Sequence, residues 1–165
     1  MDENSKVRHL IWDSMLSADL NYRYFGGLTA RFQNWDRFAK ILIAITSSTV
    51  VSGWAIWGKP GVDWIWHTAS ALACIVSLAL PIFDPANSMK AASRLTGAWF
   101  SILKDYELLW TRVDTLDESE ARKFCHTIQE EEKRLVEIES SLNKHRGLAL
   151  RCEDEVRRSR GLQIG

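Results

Sequence analysis

The side chains that could carry chemistry are few and scattered along the sequence. Glu130, Glu131 and Glu132 form an acidic run that could be imagined as a metal site. On a helix, at about 100° per residue, three consecutive carboxylates point in divergent directions, so we interpret the run as a solvated face. His126 and His145 lie 19 residues apart on one predicted helix, and at about 1.5 Å per residue this excludes joint ligation within one chain. We expect no metal and no cofactor.

Catalytic motifs are also missing from the sequence. It has no glycine-rich phosphate loop, no H-E-x-x-H pair and no nucleophile elbow. Cys74, Cys125 and Cys152 include no C-x-x-C pair, and we interpret them as small reduced hydrophobic residues. The 165 residues carry a formal net charge of zero, so no global field favours nucleic acid as a partner. We expect no catalytic residues and no enzymatic activity.

Two uncharged apolar runs dominate the organisation of the chain. They extend from Ile41 to Trp57 and from Trp64 to Phe83, and six residues separate them. At about 1.5 Å per residue each run can cross, or nearly cross, a hydrocarbon core of about 30 Å. The short break forces the two helices to run antiparallel. The pattern predicts a two-helix transmembrane hairpin, with the buried core of a soluble helical bundle as the alternative.

The residues that flank the runs favour the transmembrane hairpin over the core of a soluble bundle. Aromatic rings lie at both ends of both runs, as in the belts at headgroup depth: Trp35, Phe38, Trp54, Trp57, Trp64, Trp66 and Phe83. Basic residues collect on one side, and only Lys59 lies in the turn; the others are Arg23, Arg31, Arg37, Lys40, Lys90, Arg94 and Lys104. The positive-inside rule then predicts an inner-membrane protein with both termini in the cytoplasm.

The first run is unusually polar for a span. Its small and hydroxyl side chains share one side of a helical wheel: Thr46, Ser48, Thr49, Ser52 and Gly53. The second run has a matching stripe that includes Ser70 and Ser77. These stripes either let the helices pack closely or line a water path in an oligomer. His67, an ionisable group inside the second run, is a further candidate, although it is more often just an interfacial residue.

The segments on either side of the spans have helical periodicity. The N-terminal segment reads as an amphipathic helix with a break or hinge at Gly26-Gly27, since each glycine costs a helix roughly 1 kcal/mol. After Asp84-Pro85, which starts a helix, apolar residues repeat at spacings of three and four up to Leu116. A capping box at Thr115 to Glu118 predicts a restart.

A second, weaker seam follows this restart. Its residues recur every seven positions, at Ala121, Ile128, Leu135, Leu142, Ala149 and Val156, with Phe124, Ile138 and Cys152 between them. A single helix of this length must pack along most of its length, so the tail is expected to form a coiled-coil-like hairpin or to join partner copies. The candidates for oligomerisation are Leu95, Trp99, Ile102, Leu109, Leu135 and Leu142.

Together these patterns predict an all-α protein in three parts. Residues 1–37 form a cytosolic amphipathic helical segment, residues 38–83 the transmembrane helical hairpin, and residues 84–165 a cytosolic helical or coiled-coil oligomerisation tail. The expected partners are the lipid bilayer and further copies of the chain.

The layout resembles the SLATT family, predicted bacterial two-transmembrane effectors that accompany nucleotide second-messenger defence systems. The likeness lies in the aromatic-basic stretch Tyr22 to Phe25, the two close spans with a tiny turn, and a helical tail with Trp99 and Tyr106 to Trp110. It implies an antiphage effector that oligomerises and permeabilises the inner membrane when a nucleotide second messenger or a sensor protein signals infection. The competing hypothesis is a membrane-anchored scaffold that recruits partners through its tail.

Overall fold

The computed structural model describes residues 3–53, 68, 71, 74–75 and 85–162, and the secondary structure in these residues is helical. The prediction of an all-α fold is confirmed for this part of the chain. We number the four described helices α1 (Glu3–Gly53), α2 (Pro85–Arg112), α3 (Glu118–Ser140) and α4 (Arg146–Ser159). The chain divides into two compact units, Met1–Thr29 with Lys90–Gly165, here called the bundle unit, and Ala30–Met89, here called the central unit.

The predicted spans are only partly described. Helix α1 includes the first run as far as Gly53, whereas the turn and most of the second run lie outside the described residues. Among the residues that are described, no helix is both long enough and apolar enough to cross a membrane.

The predicted break at Gly26-Gly27 is wrong, because α1 passes through both glycines without interruption. Tertiary packing explains the presence of Gly27. A Cβ atom at Gly27 would lie 3.1 Å from Leu148 Cδ1, and one at Gly26 would lie 3.8 Å from Thr96 Cγ2. Gly27 therefore lets α1 approach α4 closely, whereas a side chain at Gly26 would make only an ordinary van der Waals contact with α2.

Helix α2 follows its predicted pattern. It begins at Pro85, where the missing N–H costs nothing because a first-turn amide has no intrahelical partner. Its seam is buried from Ala92 to Val113, and the members in order are Ala92, Leu95, Trp99, Ile102, Tyr106, Leu109 and Val113. These residues form the core of the bundle unit together with Val7, Ile11, Met15, Ala18, Phe25 and Leu28 of α1.

The restart of the helix lies two residues after Thr115, the N-cap position of the predicted capping box. Asp117 is the N-cap of α3, whereas Thr115 donates its hydroxyl hydrogen bond to Arg112 O, 2.8 Å away, within the preceding turn. The tail is not one long helix, since α3 ends at Ser140 and α4 begins at Arg146.

Both tail helices bury one apolar stripe. In α3 the buried residues are Ala121, Cys125 and Ile128, and in α4 they are Leu148, Cys152 and Val156. Phe124 is expected to fill an intervening core position of this seam. It is instead 56% exposed, because the neighbouring Cys125 faces the core. The N-terminal segment and the tail, far apart in sequence, thus share one core.

Candidate functional site

The predicted hydroxyl face of the first span lies on the described helix. Thr46, Ser48, Thr49, Ser52 and Gly53 belong to α1, so at about 100° per residue their backbone positions share one side. The structure gives no side-chain placement for them. His67, Ser70 and Ser77 lie outside the described residues.

An aromatic and basic surface precedes this face along α1. Trp35, Phe38 and Ile41 are 61%, 56% and 59% exposed, and the rings of Trp35 and Phe38 stack at 5.9 Å between centroids. Arg31, Arg37 and Lys40 are also exposed, and Lys40 Nζ lies 2.7 Å from Asp36 Oδ2. This set of three apolar and three basic residues is called the approach surface. Such rings and cations are typical of an interface between water and an apolar phase.

Most of the predicted oligomerisation residues are buried in the core of a single chain. Leu95, Trp99, Ile102, Leu109 and Leu142 are buried in the bundle unit, and Leu135 is half-buried. Trp99 Nε1 also donates a hydrogen bond to Glu139 Oε1, 2.9 Å away, which joins α2 to the end of α3. These seams close the bundle of a single chain, so a partner that leaves the bundle intact must use other residues.

An apolar groove of about 320 Å³ runs between α2 and α3. It is lined by Leu108, Leu109, Leu116, Phe124 and Ile128, with Asp105, Arg112, Thr127 and Glu131 around them. Leu108 is 50% exposed and Phe124 is 56% exposed. We call this feature the α2–α3 groove. Apolar side chains left open beside charged ones are typical of a surface for a protein partner.

A second groove, of about 400 Å³, lies between α1 and the connection from α3 to α4. Tyr24, Lys144, His145 and Arg146 contribute to its lining. The backbone N–H of His145 donates a hydrogen bond to Tyr24 Oη, 2.9 Å away. The hydroxyl therefore fastens the α3–α4 connection to α1, and we assign this contact a structural role.

An ionic cluster joins three elements of the bundle unit. Asp19 is only 2% exposed and accepts hydrogen bonds from Arg23 Nε at 2.7 Å and Arg160 Nε at 3.0 Å. Arg160 Nη2 donates a further bond to Glu107 Oε1 at 3.0 Å. The hydrogen bond from Lys104, followed by that from Arg160, holds the pKa of Glu107 below its usual value despite partial burial.

A second polar pair lies deeper in the same unit. Tyr106 Oη and Glu132 Oε1 are buried and have no hydrogen-bond partner of good geometry among the described residues. Burial, and then the neighbouring Glu132 charge, raise the pKa of Tyr106, and burial raises the pKa of Glu132. Burial also raises the pKa of the Cys125 thiol, which makes this cysteine an unreactive core residue.

Sequence patterns alone did not reveal these polar clusters. Asp19, Glu107 and Arg160 are far apart in the chain and look like ordinary surface charges at helical spacing. The positive φ of Gly161, 69°, is the one local signal near them, since it marks a helix end of the Schellman type. There the N–H of Leu162 donates to Arg157 O at 2.9 Å, and the turn fixes the position of Arg160.

Within the described ranges, no group of three or more His, Cys, Asp or Glu side chains could hold a metal ion. No family model, no curated protein and no solved structure matches this chain. The class of protein that can be stated is an all-helical one whose N-terminal segment and tail form a common bundle.

Proposed function

We propose that the protein is a membrane effector of a bacterial antiphage defence system, with a transmembrane hairpin carried by a cytoplasmic bundle. The single observation that carries the membrane assignment is the approach surface. Trp35, Phe38 and Ile41 are large apolar side chains left more than half exposed at the entrance to an uncharged run. Burial of such side chains in the interface of a bilayer is favourable by about 25 cal/mol per Å².

Two further observations support the hairpin. Helix α1 continues without a break from the approach surface to Gly53, so the interface residues and the first run share one helix. In the second run, the described residues Thr68, Ala71, Cys74 and Ile75 are helical and exposed, and Ile75 is 63% exposed. Burial of a large apolar side chain such as Ile75 in lipid is favourable.

The effector part of the proposal concerns the polar face of the first span. A lone helix with Thr46, Ser48, Thr49 and Ser52 on one side inserts poorly, because its hydroxyls need partners or water. Several copies that turn these faces inward would surround a water path. A nucleotide second messenger or a sensor protein would trigger this assembly and stop growth by permeabilising the inner membrane.

A membrane-anchored scaffold is the second candidate. The α2–α3 groove favours it, because Leu108 and Phe124 present exposed apolar surface to a possible protein partner. In that case the spans only anchor the bundle, and the bilayer stays tight.

Ion flux from liposomes that contain the purified full-length chain separates the two functions. For an effector we expect flux, and Thr49→Leu with Ser52→Leu should abolish it by dewetting the path while membrane insertion and oligomer size stay unchanged. Val50→Leu with Val51→Leu is the matched control, since it adds bulk on the opposite side of the helix.

The flux experiment has two outcomes that contradict the proposal. Liposomes that stay tight, with and without cyclic nucleotides, would exclude a permeabilising effector, and the membrane-anchored scaffold would remain as the candidate function. Full flux in the Thr49→Leu, Ser52→Leu variant would remove the hydroxyl face from the mechanism. A chain that purifies without detergent would remove the membrane assignment altogether.

A further inference from the structure

The outer face of α3 carries a charge pattern that is complementary to itself. Six exposed residues lie within about 60° of one direction, at 100° per residue: Glu120, Lys123, Phe124, Thr127, Glu131 and Arg134. Thr127 stands at the centre of this set. Acidic and basic residues alternate around it, with Glu120 and Lys123 before it and Glu131 and Arg134 after it. We call these six residues the α3 face.

The charges on this face are not used in ion pairs within the part of the chain that the structure describes. Other ion pairs are formed on α3, such as Lys133 with Glu130 at 2.6 Å, but Glu120, Lys123, Glu131 and Arg134 take part in no ion pair among the described residues. Phe124, beside them, is 56% exposed. The exposed charges and the exposed ring on this face could each contact a matching group on a second protein.

A second copy of the chain fits this pattern. In an antiparallel pair of α3 helices with a twofold axis beside Thr127, each residue lies opposite the one equally far from Thr127 in the other direction. Lys123 then faces Glu131 of the second copy, and Glu120 faces Arg134. The symmetry repeats each pair, so four opposite-charge pairs form at matching levels of the two helices.

The α2–α3 groove supplies the apolar part of the same contact. Phe124, Thr127, Ile128 and Glu131 all line the groove, so it opens along one side of the α3 face. The twofold axis brings Phe124 of the second copy next to Ile128 and Glu131, on the side where the groove is open. Each copy therefore offers both an exposed aromatic ring and a groove of about 320 Å³ that can receive one.

We propose that the α3 face and the α2–α3 groove form a twofold-symmetric dimer interface, with α3 of one copy packed antiparallel against α3 of the other. The interface is separate from the core seams, so the bundle of each chain stays closed. It does not rest on the proposed membrane function, because every residue in it belongs to the bundle unit.

Charge exchange between two positions tests the register. Lys123→Glu places two pairs of carboxylates against each other in the dimer, and Glu131→Lys places two pairs of cations against each other. We expect each single variant of the full-length chain, in detergent micelles, to dimerise about tenfold or more weakly by analytical ultracentrifugation. The double variant Lys123→Glu, Glu131→Lys should restore dimerisation.

Restoration would be specific to contacts between copies. Within one chain the two residues are eight positions, or about 12 Å, apart on the helix, so the exchanged charges cannot pair there. Helical content measured by circular dichroism serves as the folding control. If both single variants dimerise like the wild type, or if the double variant stays as weak as the single ones, the register is wrong. A wild-type chain that is monomeric would overturn the interface.

A disulfide across the axis gives an independent test. Helices packed 8–10 Å apart bring facing Cα atoms to about 3.5–5.5 Å, which overlaps the range that a disulfide spans. With the exposed Cys74 replaced by serine, Thr127→Cys should form a covalent dimer under mild oxidation. His126→Cys, one residue away but turned by about 100°, is the matched control. Equal yields from the two variants would contradict the proposed axis.

Discussion

Asp19 and Arg160 form an ion pair across 141 positions of sequence, with 3.0 Å between Arg160 Nε and Asp19 Oδ2. The side chain of Asp19 is 3% exposed and that of Arg160 is 23% exposed. The pair joins the residue that follows α4 to the middle of the N-terminal part of α1. With the hydrogen bond from Arg23 Nη2 to Ser159 Oγ at 3.2 Å, it ties the end of α4 to α1.

Removal of the Asp19 carboxylate should destabilise the bundle. Asp19→Ala leaves Arg23 and Arg160 facing each other in a partly dry site, and we expect a loss of about 3 kcal/mol in the free energy of unfolding. Urea denaturation of the full chain, followed by tryptophan fluorescence, measures this loss. Arg151→Ala is the control, because it removes an exposed pair with Glu155 at 3.1 Å and should cost less than about 1 kcal/mol. Similar losses in the two variants would mean that Asp19 is no more important than a surface charge.

The two adjacent glycines of α1 should respond in opposite directions. Gly26→Ala meets only ordinary contact with Thr96 at 3.8 Å and removes a helix-propensity penalty, so we expect stabilisation by up to about 1 kcal/mol. Gly27→Leu must displace Leu148, which would lie 3.1 Å from the new Cβ, and we expect a loss of about 1–3 kcal/mol. Thermal midpoints from circular dichroism compare the two. A Gly27→Leu variant as stable as the wild type would contradict close packing of α4 at this position.

Glu132 should make the bundle less stable as the pH rises. Burial raises the pKa of Glu132 in the folded chain above the ordinary value of a glutamate, so folding favours the protonated form. The penalty is absent below the unfolded pKa and grows as the pH passes through the raised folded pKa.

Glu132→Gln should remove this penalty. We expect a gain in stability at pH 7, because the amide carries no charge to desolvate, and no difference from the wild type at pH 4. Urea denaturation at several pH values checks both points. Glu131→Gln, on the exposed side of α3, is the control and should change little. A gain for Glu132→Gln that is the same at every pH would assign the effect to packing instead of ionisation.

The predicted topology can be tested at the turn between the spans. A single cysteine at Gly61, in a chain without its native thiols, should react in intact cells with a reagent that cannot cross the membrane, because the turn is expected outside the cytoplasm. Cysteines at Ser5 and Ser159 are the controls and should react only after the cells are opened. Labelling of the controls with Gly61 silent would reverse the topology.

The sequence by itself determined the helical class and most of the core. A periodicity of three and four residues along α2 identified the buried seam from Ala92 to Val113, because a helix that packs on one side must place its apolar residues at that spacing. Pro85 marked the start of α2 for an equally local reason. The two uncharged runs likewise predict spans from composition alone.

Only the tertiary structure decided which elements share the core and where local rules are overridden. Gly26 and Gly27 argue for a break when helix propensity is considered alone, yet α1 is continuous through both, and Leu148 leaves no free space for a side chain at Gly27. Phe124 and Cys125 are neighbours, and packing of α3 on α2 buries the small thiol and leaves the large ring outside. Asp19 is paired with Arg23, one turn away, and with Arg160 from the other end of the bundle unit, and Arg160 also binds Glu107 of α2. Such pairings depend on how helices pack against one another, and the free energy of that packing is not encoded in any single local pattern.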